Sequence, residues 1–123
     1  MKIFIIMLLS ACTVTAKPAE PVKKNEAYYI AKIADELGGD KEVPVKSGRV
    51  DIETETHAIE VEWASKWKEA IGQALWYSLQ TGKLPMIILL EKKETDSKYF
   101  IMLNSALKHG GLEMKTEYRK RNY

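Results

Sequence analysis

The sequence predicts an α/β domain, a mixed β-sheet flanked by helices. Three observations carry this expectation. A period-two hairpin occupies 49–63, an amphipathic helix pattern follows over 65–81, and the apolar run Met86-Ile87-Ile88-Leu89-Leu90 comes next, with a further helix and strand behind it. Strands alternating with helices in this way favour one sheet crossed by helices over a bundle or a β-sandwich. The chain has 123 residues, 46% apolar and 29% charged, enough for one core with no room for a second domain.

The N-terminus is separate from that domain. Lys2 precedes Ile3-Phe4-Ile5-Ile6-Met7-Leu8-Leu9, too short to span a bilayer but suited to an export signal over 1–16. Leu9-Ser10-Ala11-Cys12 resembles a bacterial lipobox, in which Cys12 becomes the lipidated first residue. Val14-Thr15-Ala16 offers ordinary signal-peptidase cleavage after Ala16 instead. The expected location is the periplasm or an outer-membrane lipid anchor, alternatively secretion, and a lone cysteine leaves the exported chain without disulfides. Residues 17–25 hold Pro18 and Pro21 among charged groups and read as a flexible linker.

The folded domain is expected over 26–123. Tyr29, Ile30, Ile33, Ala34 and Leu37 recur at helical spacing and Gly38-Gly39 ends the pattern, with Glu26 in the first turn against the helix dipole. A short strand over 41–47 contains Pro44, which favours a sheet edge. Gly48 permits a sharp turn into the hairpin, whose arms are joined by the polar Thr54-Glu55-Thr56-His57. In the next helix Trp67, Ile71, Ala74, Leu75, Ser78 and Leu79 are expected to face the core. The strand over 84–90 is expected to be buried on both faces. A helix over 97–108 follows, with Phe100, Ile101, Leu103, Asn104 and Leu107 inward, and a strand over 112–118 closes the domain.

Chemistry gathers in the hairpin and the helix after it. Glu60 and Glu62 share one face of their strand, and Asp51 is expected across from them. Three converging carboxylates repel unless a cation or protons compensate, and a divalent metal is the simpler answer. Carboxylate oxygens suit Mg²⁺ or Mn²⁺; one cysteine and two histidines far apart in sequence do not suit zinc. Lys66, Ala70, Gln73 and Tyr77 form a second helical stripe that brings a cation, an amide and a phenol to one edge. Lys66 is the candidate cation for stabilising charge on a phosphate. The competing reading of the acids is a solvated polar strand face, and of Trp63, Trp67 and Trp76 packing and rim residues.

These residues resemble the PD-(D/E)XK nuclease superfamily. Asp51 followed by Glu60-Val61-Glu62 is similar to its acidic motif, and Gln73-xxx-Tyr77 to the Gln-xxx-Tyr helix motif of its RecB-type members. The resemblance covers roughly 26–118 and implies a restriction-endonuclease-like core that hydrolyses DNA. It further implies metal ligands at Asp51 and Glu60, with the Val61 carbonyl as a third and Glu26 joining from the first helix. Glu62 stands where the family usually has lysine, so the catalytic cation must come from elsewhere, with Lys66 or Lys68 as candidates. The alternative is a catalytically inactive envelope lipoprotein on the same fold that binds nucleic acid or a protein partner. Many members of this superfamily are dimers. The formal charge of +2 excludes global attraction to nucleic acid and requires a local basic surface, for which Lys115, Arg119, Lys120 and Arg121 are the candidates.

Overall fold

The computed structural model describes residues 10–123. The apolar part of the expected export signal lies outside the described residues. From residue 10 to residue 25 the chain has no regular secondary structure and is exposed, Cys12 included. No described helix is long and apolar enough to cross a membrane.

Helix α1 (Glu26–Leu37) starts where Asn25 accepts a hydrogen bond from the Tyr28 N–H and stops at Gly38 in the left-handed region. Strands β1 (Asp40–Val45), β2 (Gly48–Glu53) and β3 (His57–Trp63) form an antiparallel meander. A 3₁₀ turn (Ala64–Lys66) leads into helix α2 (Trp67–Thr81); strand β4 (Leu84–Leu90), helix α3 (Ser97–His109) and strand β5 (Lys115–Arg119) complete the domain. The sheet runs β1-β2-β3-β4-β5, with β3, β4 and β5 mutually parallel, so it is the mixed α/β sheet the sequence predicts. β1 is an edge, as Pro44 requires, and β4 is internal.

Both parallel crossovers step the same way along the sheet, so a common handedness puts α2 and α3 on the same face. They pack there through Ala70, Ala74, Leu103 and Leu107 against Ile87 and Leu89. The opposite face receives α1, whose Tyr29, Ile30, Ile33 and Ala34 meet Ile52, Ile59, Val61, Met86, Ile88 and Leu90. Residues 86–90 of β4 alternate between the two cores, and for that reason the run is continuously apolar.

Several expected faces differ. On α2 the buried residues are Ala70, Ala74 and Tyr77, while Leu79 is 72% exposed and Leu75 sits at the rim. Two alanines let the helix lie close to β4, and the side chains of Leu75 and Leu79 are turned outward. On α3 Ile101 is exposed, and Leu103 and Leu107 alone are fully inward. β5 starts at Lys115, three residues later than expected.

Candidate functional site

The β2–β3 ladder pairs Ile52 with Ile59 and Glu53 with Ala58, and no pairing is found beyond. Where the two strands part, the Asp51 carboxylate accepts a hydrogen bond from the Val61 N–H at 2.8 Å, in place of the ladder bond that amide would otherwise make. The opposite neighbour of β2 is distorted at the same level. Lys41 pairs with Ile52 and Val43 with Val50, but Glu42, between them, has φ 53°, a left-handed conformation that a glutamate adopts at a cost.

This opening is a cavity of about 300 Å³ lined by Glu26, Glu42, Arg49, Asp51, Glu60 and Glu62, with Gln73 and Tyr77 on the α2 side. Five structural elements therefore contribute to one site. The start of α1 brings Glu26, β1 Glu42, β2 Arg49 and Asp51, β3 the two glutamates, and α2 the amide and phenol. The order predicted from sequence, Asp51, then Glu60 and Glu62, then Gln73 and Tyr77, is brought to one place. Val61 meets Asp51 through its N–H. Lys66 is exposed and does not line the cavity, although its charge favours the ionised form of Glu26.

Two lining residues escape the sequence reading. Arg49 supplies the cavity's cation; it lies two residues before Asp51, and that proximity was its available signal. Glu42 had none, because its direction depends on the left-handed backbone of β1.

The electrostatics follow from burial. Glu60 is 3% exposed and Glu62 8%, and neither pairs with a lysine or arginine among the described residues. Burial, then the charge and hydrogen bond of Asp51, push the Glu60 carboxyl up to about 10. Burial also raises Asp51, overcoming the opposing effect of the Val61 N–H. Glu26 is pushed up to about 7 by burial and then by Glu62 and Asp51. The Tyr77 hydroxyl is raised by burial and then by Glu60 and Asp51, against the opposing effect of the Arg49 backbone.

Without a cation, the Glu60 carboxyl keeps its proton at neutral pH. Among the described residues no three His, Cys, Asp or Glu side chains already stand in a metal-ligating arrangement. The donor chemistry fits a hard divalent ion, whereas the side-chain positions are those of a proton-sharing cluster.

The expected C-terminal basic surface is divided. Arg119 is held by Glu36 and Glu117, both at 2.9 Å, and lies over the Tyr123 ring. Lys115 approaches Glu117 at 4.0 Å, and Arg121 forms an exposed pair with Glu94 at 3.5 Å. Arg119 is thus a structural tie between β5 and α1.

A KilA-N domain-containing protein of Acanthamoeba polyphaga mimivirus is 44% identical to this chain over 65 residues. The match spans 53% of this chain and 26% of the viral protein, so the chain corresponds to about a quarter of that relative. No family model and no solved structure matches the chain.

Proposed function

We propose that this domain is a PD-(D/E)XK-like phosphodiesterase that hydrolyses nucleic acid, DNA foremost, with Mg²⁺ or Mn²⁺ held by Asp51 and Glu60. The observation that carries the reading is the buried Glu60 carboxyl, without a cationic partner among the described residues, facing Asp51 where the sheet opens. A protein has little reason to bury such a group unless an ion or proton is meant to meet it. The KilA-N relative favours nucleic acid as the partner.

Asp51 and Glu60 are the first oxygen donors for the ion, with Glu62, Glu26 and the Val61 carbonyl available to complete its shell. Such a cation, when bound, neutralises the phosphate and acidifies an attacking water. Arg49 supplies bidentate donors to phosphate oxygens at the cavity rim and takes the place of the lysine absent at position 62. Gln73 and Tyr77 border the same space and orient what enters it. Lys66 acts from outside by biasing Glu26. The lipobox-like Leu9-Ser10-Ala11-Cys12 supports export, through lipidation of Cys12, as part of this reading.

The second reading is a binding domain on the same fold without catalysis, favoured by Glu62 in the lysine position. Cleavage of single- and double-stranded DNA with Mg²⁺, with Mn²⁺ and with chelator separates the two. Metal-dependent cutting, lost in Asp51→Asn, is expected. Asparagine keeps an acceptor for the Val61 N–H, so that variant retains the fold. A folded chain that cuts under no condition moves the assignment to the binding reading.

A further inference from the structure

Next to the acidic cavity, and sharing Glu26 with it, lies a groove of about 500 Å³ with a different character. Lys23, Lys24, Tyr29, Trp63, Lys92 and Arg121 line it together with Glu91. Trp63 follows Glu62 in β3 with its side chain on the other face, and the two openings meet at Glu26.

The groove is built rather than incidental. The Tyr29 ring meets Trp63 edge-on at 5.9 Å, fixing the indole against the α1 core. The Tyr29 hydroxyl also donates to the Arg121 carbonyl at 3.3 Å and pins the C-terminal segment to the rim. On the other side, Asp96, 7% exposed, accepts from the Lys92 and Lys93 N–H groups at 2.9 and 3.0 Å and fixes that loop. The Lys92 ammonium then stands 4.7 Å from the Trp63 ring centroid. Glu91 is occupied by the Tyr118 hydroxyl at 2.6 Å, and the exposed Arg121–Glu94 pair exchanges readily for a phosphate.

Aromatic faces with cations alongside are the physical requirements for binding a single nucleic-acid strand. Bases stack regardless of sequence, and phosphates meet lysine or arginine. We propose that this groove holds the strand flanking the scissile phosphate, with one base stacked on Trp63 and the adjoining phosphates on Lys92 and Arg121. The inference rests on the hydrolytic reading for its direction, since the strand runs past Glu26 into the acidic cavity. It refines the expectation that Trp63 serves packing: the indole packs against the α1 core, and Lys92 lies over its ring until the ammonium moves to a phosphate and a base takes its place.

The test is fluorescence anisotropy of a labelled single-stranded oligothymidylate with the full chain in chelator, where no cleavage intervenes. Trp63→Leu is expected to weaken binding about 5- to 150-fold, the range for one stacked base. Lys92→Ala is expected to reduce the slope of log affinity against log salt by about 0.7, one phosphate contact on a single strand. Trp63→Phe, which keeps a stacking face, is expected to recover part of the loss and guards against a fold defect in the leucine variant. Thermal unfolding verifies that each variant is folded. Unchanged affinity and salt slope in folded Trp63→Leu and Lys92→Ala overturn the proposal. So does heparin competing equally well against wild type and Trp63→Leu, since the surface then attracts any polyanion. Groove-dependent binding without cleavage under Mg²⁺ supports the groove and overturns the hydrolytic reading alone.

Discussion

Replacing Glu60 by glutamine removes one titrating group from the acidic cavity while keeping its size, and the consequence is calculable. The Glu60 carboxyl is raised from an ordinary value of 4.5 to about 10, so the folded state holds a proton that the unfolded chain has released. For a raised carboxyl the stabilisation is complete below the unfolded value and is lost as pH rises toward the folded one. The metal-free protein therefore loses stability between about pH 5 and about pH 10, and Glu26, raised to about 7, adds the same sign in the lower part of that window. One proton corresponds to about 1.4 kcal/mol per pH unit, so Glu60 can account for at most about 2.7 kcal/mol between roughly pH 6 and pH 8. In a domain of this size that is about 10–20 °C in Tm, less if Asp51 and Glu60 share the proton. Circular-dichroism melts in chelator are expected to show the wild-type Tm falling with pH and the Glu60→Gln curve flatter and higher at alkaline pH. Adding Mg²⁺ at alkaline pH is expected to raise the wild-type Tm and not that of the variant. Parallel pH curves, with the variant below wild type throughout, would refute the claim that buried carboxyls await an ion or proton.

Two further substitutions probe how the cavity is shaped. Gly48→Ala places a methyl group 2.9 Å from the Tyr77 hydroxyl at a backbone φ of 154°, so a loss of about 1–3 kcal/mol is expected in denaturant unfolding. The same displacement of Tyr77 is expected to lower nucleic-acid cleavage more than nucleic-acid binding. Glu42→Gly relieves the left-handed glutamate and is expected to stabilise the fold by about 1 kcal/mol while reducing activity, the pattern of strain retained for function. A stability loss, or unchanged cleavage, would mean that Glu42 has no part in the site.

Local periodicity accounts for much of what was legible in the chain. α1 ends at Gly38 as its spacing implies, and Tyr29, Ile30, Ile33 and Ala34 of the expected stripe are buried, while Leu37 in the last turn is exposed. The edge position of β1 follows from Pro44, and the internal position of β4 from its unbroken apolar run. α2 shows where periodicity stops. Leu75 and Leu79 look inward by hydrophobicity, yet the close approach of Ala70 and Ala74 to β4 sets the helix rotation and leaves both leucines outside. Sequence spacing does not contain the distance between layers. Ile101 of α3 is likewise outside, at 67% exposure.

The candidate site divides along similar lines. Asp51, Glu60, Glu62, Gln73 and Tyr77 were identifiable because strand and helix periods put each on a definite side of its own element. Their convergence required β2 and β3 to part beyond Ile52 and Ile59, and α2 to turn Gln73 and Tyr77 toward the gap. Arg49 and Glu42 join the cavity, and Lys66 stands outside it, through a backbone bend and a helix start that no side-chain pattern encodes. The chain's local preferences settle which elements form and which faces are polar, because those depend on neighbours within a few residues. The distances between carboxyls and the burial that raises them depend on how layers pack, and only the folded molecule contains those distances.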